Sequence, residues 1–287
     1  MDIEDTEEDV PFLHRTIGEQ NVEPVVGYCR QKWHFFGGII VVLLVFILSV
    51  FLANKNAPFA IVLQVTDDVS KYETWTQTVK AWTQQFNFTY VVKIFNETKW
   101  SNQLKPKLLL QQVTENMENG VTWMIFLDAD ICVKNFAFNM TTFLIQNSQY
   151  DFMFQDSMHT TNSGFLIIKN TDYSVNILMD WIENQNNCKI PWSGDQAYLQ
   201  ITILKYAFRS KNQDYNNKCC FMNTTDAHEA NLCYRNKMDG LGFPVNERKF
   251  GKIMAIDHKT RFNMHDSGDH YKNGDIFYHG HDERQCK

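Results

Sequence analysis

One uninterrupted apolar segment, residues 35–53, constrains this chain more than any other feature, because its 19 residues include no charged side chain. As a helix it would be roughly 28 Å long at about 1.5 Å per residue, which is close to the thickness of a bilayer's hydrocarbon core. A buried helix of a soluble domain is rarely apolar on every side over such a length. A cleaved signal peptide is the alternative, but its apolar core is usually shorter, and cleavage after Ala53 would place the bulky Phe51 at the −3 position. The segment therefore predicts an uncleaved signal anchor.

This anchor divides the chain into a cytosolic tail (1–34), the transmembrane segment (35–53), a short stem (54–59) and a lumenal domain (60–287). Six of the seven cysteines follow the segment, as an oxidising compartment permits. All the acceptor sequons for N-glycosylation also follow it, at Asn87, Asn96, Asn139 and Asn223. We therefore expect a single-pass type II protein of the Golgi or ER membrane with its main domain in the lumen.

The formal charge of −6 is concentrated at the N-terminus. Residues 1–34 contain eight acidic and three basic residues, whereas the rest of the chain contains 25 acidic and 24 basic residues. Nucleic-acid binding needs a basic surface, so the near-neutral main domain argues against a nucleic-acid partner. Apolar residues at 44% and aromatic residues at 14% are sufficient for a packed core and exclude a disordered protein.

Beyond the anchor, strand and helix patterns alternate. Short apolar or alternating runs predict strands at 60–66, 88–95, 121–127, 151–154, 164–168 and 275–280. Three- and four-residue spacing predicts helices at 69–86 and 103–116. A third predicted helix begins at Thr171 or Asp172, and its apolar face consists of Val175, Leu178, Met179 and Ile182. A fourth begins at Asp195, and its inward face consists of Ala197, Ile201 and Leu204. This order predicts an α/β fold with a mixed, mostly parallel sheet flanked by helices. Ligands of such sheets bind beyond the carboxyl ends of the strands.

An Asp-x-Asp motif lies at such a strand end. Asp128 and Asp130 directly follow the predicted strand 121–127, and their spacing of two in extended chain points both carboxylates the same way. Paired carboxylates suit a hard divalent cation, Mg²⁺ or Mn²⁺, which can also hold a diphosphate. The motif therefore predicts a site for a metal and a diphosphate, although Asp-x-Asp by itself is also common in polar turns.

Two further motifs fall near strand or helix ends. Asn162, Ser163 and Gly164 precede the predicted strand 164–168, where small polar groups would let a sugar pack closely; a plain turn is the simpler interpretation. Asp195 lies at a helix start, where it can be an N-cap or can bind sugar hydroxyl groups.

The C-terminal segment supplies the remaining candidates. Either His279 or His281 could complete a metal site with the two aspartates. Arg284 or Lys287 could neutralise a phosphate group.

Taken in order, these motifs carry a resemblance that covers roughly residues 60–287. The signal anchor, LDAD, NSGF with a following W-x-E helix, GDQ and a C-terminal His-Gly together resemble the GT-A glycosyltransferases. The resemblance is closest to the type II galactosyl-, xylosyl- and mannosyltransferases of glycosyltransferase family 34 and their small relatives. It implies a GT-A fold and a metal-dependent transfer, with retention of configuration, from a nucleoside-diphosphate sugar to a glycan or glycoprotein.

The resemblance also implies roles for individual residues. The metal, Mn²⁺ or Mg²⁺, would be held by Asp128, Asp130 and His279. The nucleotide sugar would be bound by Asp128, Asp130, Asn162, Ser163, Gly164 and Arg284. Asp195 and Gln196 would lie beside the reacting sugar. The alternative function is a membrane-tethered module, an inactive transferase, that binds a glycan or nucleotide sugar; a hydrolase with paired carboxylates fits less well.

The cysteines lead to a separate expectation. Cys132 follows the Asp-x-Asp motif in a predicted buried strand, so we expect a free thiol there. Cys219 and Cys220 are adjacent and would pair with other cysteines rather than with each other, the candidates being Cys188, Cys233 and Cys286. The connectivity is left open, because six cysteines allow 15 pairings.

Overall fold

The structure is a computed structural model that divides the chain into two units, Met1–Lys55 and Asn56–Lys287. It describes residues 39–40, 42–43, 58–94, 104–156, 161–187, 195–215, 227–244, 248–257, 275–280 and 282–286. The predicted tail and most of the predicted anchor and stem lie outside these residues. Those described from the anchor, residues 39–40 and 42–43, are helical and exposed. No helix within the described ranges is long and apolar enough to cross a membrane.

Strands and helices alternate along the second unit, as the sequence predicts. The described strands are β1 (Ala60–Thr66), β2 (Thr89–Ile94), β3 (Trp123–Asp128), β4 (Ile131–Val133), β5 (Phe152–Asp156), β6 (Thr161–Lys169), β7 (Lys249–Phe250), β8 (Ile253–Asp257) and β9 (Phe277–His279). The described helices are α1 (Glu73–Gln85), α2 (Leu104–Glu118), α3 (Met140–Gln146), α4 (Asp172–Asn187), α5 (Asp195–Ser210) and α6 (Ala227–Gly240), followed by a 3₁₀ helix (Glu283–Cys286).

Seven of these strands form one mixed sheet in the order β2-β1-β3-β6-β5-β8-β7. Strands β2, β1, β3, β5 and β8 run in one direction, and β6 and β7 run in the other. The expected mixed, mostly parallel sheet is therefore confirmed. Its carboxyl edge, where β1, β3 and β5 end, also receives the start of the antiparallel strand β6.

The sheet is covered on both faces, which explains the continuous apolar run of β1. All seven residues of β1 are buried. Ile61, Leu63 and Val65 pack into one core with helices α2, α4, α5 and α6. Ala60 and Val62 pack into a second core with α1 and α3. A strand buried on both sides cannot alternate between apolar and polar residues, so the run indicates a central position in the sheet.

A buried ion pair closes the outer part of the sheet. The carboxylate of Asp156, at the end of β5, contacts the guanidinium of Arg248, which precedes β7, and both side chains are almost fully buried. The Arg248 Nε donates a hydrogen bond to the carbonyl of Phe243 at 3.1 Å. Burial raises the pKa of Asp156 to about 7, and the nearby guanidinium opposes this rise.

The structure differs from the predicted elements in several places. The first helix begins at Glu73 rather than at residue 69. Met179 was expected on the packed face of α4 but is 54% exposed, while Ile177 and Trp181 are buried there. The face of α4 is set by its contacts with α2 and α5, which a single helix's periodicity does not reveal. The sequence patterns also missed α3, α6, β7 and β8, most of which are short or lie in the less regular last third of the chain.

Candidate metal centre and its surroundings

Strand β3 delivers the two aspartates to the carboxyl edge of the sheet. Asp128 ends the strand next to Val65 of the parallel strand β1, and Asp130 follows in the tight connection to β4. The buried side chain of Gln64 braces this connection, because its Nε2 donates to the carbonyls of Asp128 at 3.3 Å and of Ile131 at 3.1 Å. Gln64 is the one polar residue inside the apolar run before Thr66, and that exception was the available sequence signal for its role.

A two-stranded ladder brings the histidine to the aspartates. Strand β9 pairs antiparallel with β4 and places His279 opposite Ile131. The amide of Gly280 donates to the carbonyl of Asp130 at 3.0 Å. As a result, Nε2 of His279 lies 3.2 Å from Oδ1 of Asp130. The structure thus brings His279 into the cluster, whereas the alternative, His281, lies outside the described residues.

These three residues form a group that can hold a metal. One ligand atom each from Asp128, Asp130 and His279 lie within 4.8 Å of one another. Two carboxylates with an imidazole form a donor set that can bind a divalent metal ion. The amide nitrogen of Asn162 lies 3.3 Å from Nδ1 of His279, so this contact helps to orient the ring. We call Asp128, Asp130 and His279 the triad.

A lysine that the sequence interpretation missed lies beside the triad. Lys105, in the first turn of α2, is buried, and its Nζ lies 3.0 Å from Oδ1 of Asp128 and 2.5 Å from Oδ2 of Asp195. Its ammonium also lies 5.4 Å from the centre of the Phe126 ring. Lys105 thus joins two carboxylates that are separated in sequence by 67 positions.

Opposing effects act on the charges of this group. Burial disfavours the Lys105 ammonium, but the carboxylates of Asp128 and Asp195 outweigh burial and raise the pKa of Lys105 above its ordinary value. For Asp128 the effects are reversed: burial raises the pKa of its carboxyl group, and the positive charge of Lys105 opposes that rise. A signal for Lys105 was present, because it shares with Leu109, Gln112 and Asn116 the buried face of α2.

Strand β6 and helix α5 complete the site. Asn162, Ser163 and Gly164 were expected just before a strand; they lie within β6, which begins at Thr161 and pairs with β3 and β5. Ser163 Oγ donates to Oδ2 of Asp195 at 2.9 Å. The backbone of Gly164 is so close to Asp128 that an added Cβ would lie 2.6 Å from the Asp128 Oδ2. Only glycine therefore fits this position without displacing the carboxylate.

The last two residues of the GDQ motif, Asp195 and Gln196, lie in the first turn of α5. Asp195 is the first residue of the helix, and Trp181 Nε1 donates to its carbonyl at 3.1 Å. The Asp195 side chain is directed to Lys105 and Ser163. Gln196 follows it and is half-buried. Asp195 is therefore linked to the triad through Lys105, while Gln196 is placed beside it by the helix.

Arg284, predicted to bind the nucleotide sugar, is not brought into this cluster. Its side chain is 87% exposed. Its guanidinium pairs with Asp282, through Nε at 2.9 Å and Nη2 at 3.0 Å. The position of Arg284 on the terminal 3₁₀ helix is a consequence of how that helix packs, which the sequence does not show.

The expected free thiol of Cys132 was wrong. Cys132 forms a disulfide with Cys286, 154 positions later, with a Cα–Cα distance of 5.8 Å. Pairing of β4 with β9 brings the terminal 3₁₀ helix beside Cys132, an arrangement that the buried position of Cys132 alone does not reveal. Among the described residues, Cys233 carries a free thiol. Cys188, Cys219 and Cys220 lie outside the described residues.

Two cavities differ in their relation to this centre. A cavity of about 240 Å³ opens directly beside the triad and is lined by Val65, Thr66, Asp67, Tyr72, Lys105, Asp128, Ala129 and Asp130. A larger cavity of about 730 Å³ lies between α4, the end of α5 and the β7–β8 turn, and none of the predicted site residues lines it. The smaller cavity is therefore the one that belongs to the candidate metal centre.

Comparisons with known proteins give little beyond this geometry. No protein-family model matches the chain, and no curated protein matches its sequence. Among solved structures, the chain is similar to the crystal structure of a glycosyltransferase involved in the glycosylation of the major capsid of PBCV-1, at 13% sequence identity and a TM-score of 0.41. That match covers 52% of this chain and 77% of the other.

Proposed function

We propose that this protein is a metal-dependent glycosyltransferase of the GT-A fold that transfers a sugar from a nucleoside-diphosphate sugar to a glycan or glycoprotein acceptor. The observation that carries the proposal is the triad of Asp128, Asp130 and His279 at the carboxyl edge of a mostly parallel sheet. Lys105 connects the triad to Asp195, one of the two residues that the family 34 resemblance implies beside the reacting sugar. The resemblance supports this function, and the geometry supplies residues suited to each step.

The leaving group of such a reaction is a diphosphate, and the site offers positive charge to receive it. Asp128, Asp130 and His279 would hold Mn²⁺ or Mg²⁺, which when bound supplies charge that neutralises the diphosphate. The ammonium of Lys105 is already fixed beside Asp128 and adds a second positive charge in a partly water-excluded position. The site is thus organised before the reaction, which is what electrostatic catalysis requires.

Asp195 is the carboxylate best placed for the sugar itself. Both Lys105 and Ser163 contact its Oδ2, so its orientation is fixed by the fold. A carboxylate at this point can bind sugar hydroxyl groups or stabilise the positive charge that develops at the anomeric carbon. Gln196 follows in the same helical turn. We propose Asp195 and Gln196 as the pair beside the reacting sugar, with retention of configuration as the resemblance implies.

The cavity of about 240 Å³ is the proposed place for the nucleoside part of the donor. It opens beside Asp128 and Asp130, where the diphosphate would lie, and reaches the end of β1. Asp67 contributes an exposed carboxylate that can accept hydrogen bonds from ribose hydroxyl groups. Tyr72 adds a partly buried aromatic ring to the same lining.

The proposed setting is the lumen of the Golgi or ER, with residues 35–53 as the anchor of a type II protein. The apolar run and the sequons after it support this setting. Of the sequons, Asn87 and Asn139 fall on described residues, and both are exposed.

The decisive experiment compares two substitutions that remove the same charge. Asp130→Asn removes a proposed metal ligand, and Asp214→Asn removes an exposed carboxylate beyond the far end of α5, a helix roughly 24 Å long at about 1.5 Å per residue. Full-length protein in detergent is incubated with Mn²⁺ and a panel of UDP- and GDP-sugars, and donor turnover is recorded. We expect a loss of turnover of about a thousandfold for Asp130→Asn and none for Asp214→Asn.

Three outcomes would contradict the proposal. Full activity of Asp130→Asn, or wild-type turnover that is unaffected by EDTA, would refute the proposal of a metal-dependent transferase. Mn²⁺-dependent binding of a nucleotide sugar without any turnover would instead favour the second function, a binding module that uses the same site. Circular dichroism of each variant shows whether a loss reflects unfolding.

A further inference from the structure

The third member of the triad comes from a part of the chain remote from the other two. Asp128 and Asp130 belong to the central strand β3 and the connection after it, which the sheet holds on both sides. His279 belongs to a short C-terminal segment, residues 275–286 with a gap at 281. The geometry of the triad therefore depends on what fixes this segment to the body of the domain.

Core packing and hydrogen bonds hold this segment: Ile276 and Phe277 belong to the second core, where the Phe277 ring contacts the rings of Trp82 and Phe165. Three residue pairs join β4 to β9. The carbonyl of Ile276 accepts hydrogen bonds from the amides of Lys134 at 2.8 Å and Asn135 at 3.2 Å. Around Gly280, the amide donates to Asp130 and the carbonyl accepts a bond from Trp75 Nε1 at 3.1 Å. A ladder of this length is weak by itself, since isolated two-stranded pairs are marginally stable at best.

The Cys132–Cys286 disulfide is the covalent attachment of this segment. Cys132 adjoins Ile131, the residue opposite His279, and is itself opposite Tyr278. Cys286 lies at the other end of the segment, on the terminal 3₁₀ helix. Both cysteines are buried in a small cluster with Trp75 and Tyr278. The bond therefore fastens the segment beyond His279, while the ladder fastens it up to His279.

We propose that Cys132 and Cys286 are positioning residues of the metal centre: their disulfide holds His279 against Asp130 and thereby sets the affinity for the metal. This inference rests on the proposed function, because it assigns the disulfide to the same triad. With the bond broken, only non-covalent contacts hold the segment around His279, and the histidine then samples positions away from Asp130. Disturbing a group that orients a metal ligand typically weakens metal binding 10- to 100-fold.

The test measures Mn²⁺ binding to the full-length protein in detergent, by titration followed with electron paramagnetic resonance. Cys286→Ala breaks the bond, and Cys233→Ser is the matched control because it removes a cysteine that is not disulfide-bonded. We expect the Kd for Mn²⁺ to rise at least tenfold in Cys286→Ala and to be unchanged in Cys233→Ser. Because Cys286→Ala could affect folding, wild-type protein treated with TCEP provides a second comparison without a substitution, with reduction of the Cys132–Cys286 bond verified by peptide mapping.

A double-mutant cycle separates positioning from general stabilisation. His279→Ala removes the ligand, so breaking the disulfide in that background should cause no further loss of Mn²⁺ affinity. Turnover should show a raised KM for Mn²⁺ and an unchanged kcat at saturating metal. Equal and additive losses in both backgrounds would show that the bond acts on overall stability, and would overturn the inference.

The remaining outcomes distinguish this inference from the proposed function. Wild-type affinity in both Cys286→Ala and the TCEP-treated protein would overturn the positioning role and leave the metal centre intact. Wild-type protein that binds no Mn²⁺ would overturn the proposed metal centre, and the positioning role with it.

Discussion

Replacing Gly164 with alanine tests the arrangement of the candidate metal centre most directly. An added Cβ would lie 2.6 Å from Oδ2 of Asp128 and 3.0 Å from Oδ1 of Asn162. Ordinary contact begins near 3.4 Å, so the Asp128 carboxylate would have to move by roughly 0.8 Å. Gly164 lies in β6, between β3 and β5 in the middle of the sheet, where the backbone has little freedom to move instead.

Two measurable effects follow from this displacement. Inserting a methyl group into a packed site costs about 1–3 kcal/mol, which for a domain of this size lowers Tm by roughly 2–12 °C. The displaced carboxylate also moves away from Lys105, now 3.0 Å from its Oδ1, and from the other triad ligands. We therefore expect the Kd for Mn²⁺ to rise by about tenfold or more.

The matched control for Gly164→Ala is the same substitution at Gly240. No atom lies within 4 Å of a Cβ added there, and Gly240 is the last residue of α6. Alanine is the better helix former, so Tm should be unchanged or slightly higher. Thermal denaturation and Mn²⁺ titration are run on both variants and the wild type. A Gly164→Ala protein with wild-type Tm and wild-type Mn²⁺ affinity would refute the close approach of Gly164 to Asp128.

Two further predictions concern buried charges. Lys105→Met leaves Asp128 and Asp195 without their shared cation. We therefore expect the metal-free variant to lose about 3–5 kcal/mol of unfolding free energy in urea denaturation, and to recover part of it when Mn²⁺ is added. Equal stability of variant and wild type would contradict this prediction. For Asp156, burial raises the pKa from 3.8 to about 7 in the folded state, so the folded protein holds this proton more tightly than the unfolded chain. The contribution of Asp156 to stability must then decrease as pH rises from about 4 to about 7. The Asp156→Asn variant has no such titrating group. The Tm of the wild type minus the Tm of Asp156→Asn should therefore become smaller between pH 5 and pH 8. A constant difference would show that Asp156 does not titrate in this range.

Local sequence patterns were sufficient to predict most of the central strands and helices. The apolar run of β1 gave its bounds, 60–66, because a strand buried on both faces has a continuous signature. The aspartates were placed at a strand end, and Asp195 at a helix start, by residues immediately next to them in sequence. The predicted sheet, mixed and mostly parallel, followed from the alternation of these elements.

Two polar residues occupy positions where the sequence pattern calls for apolar ones, and their roles in the site were nevertheless not predicted. Gln64 interrupts an apolar strand, and Lys105 lies on the buried face of an amphipathic helix. Each is a polar side chain whose burial requires a partner. The sequence shows that a partner is needed but does not show which one, because Ile131 and Asp195 approach these residues only in the folded chain.

The sequence by itself thus determined most of the central strands and helices and which acidic residues lie at their ends. Only the tertiary structure decided which distant residues meet: Cys132 with Cys286, His279 with Asp130, and Lys105 with Asp195. The physical reason is the range of the interactions. Backbone hydrogen bonding and side-chain periodicity act over a few residues, whereas these contacts depend on the pairing of β4 with β9 and on helix packing across the sheet, which no local pattern encodes.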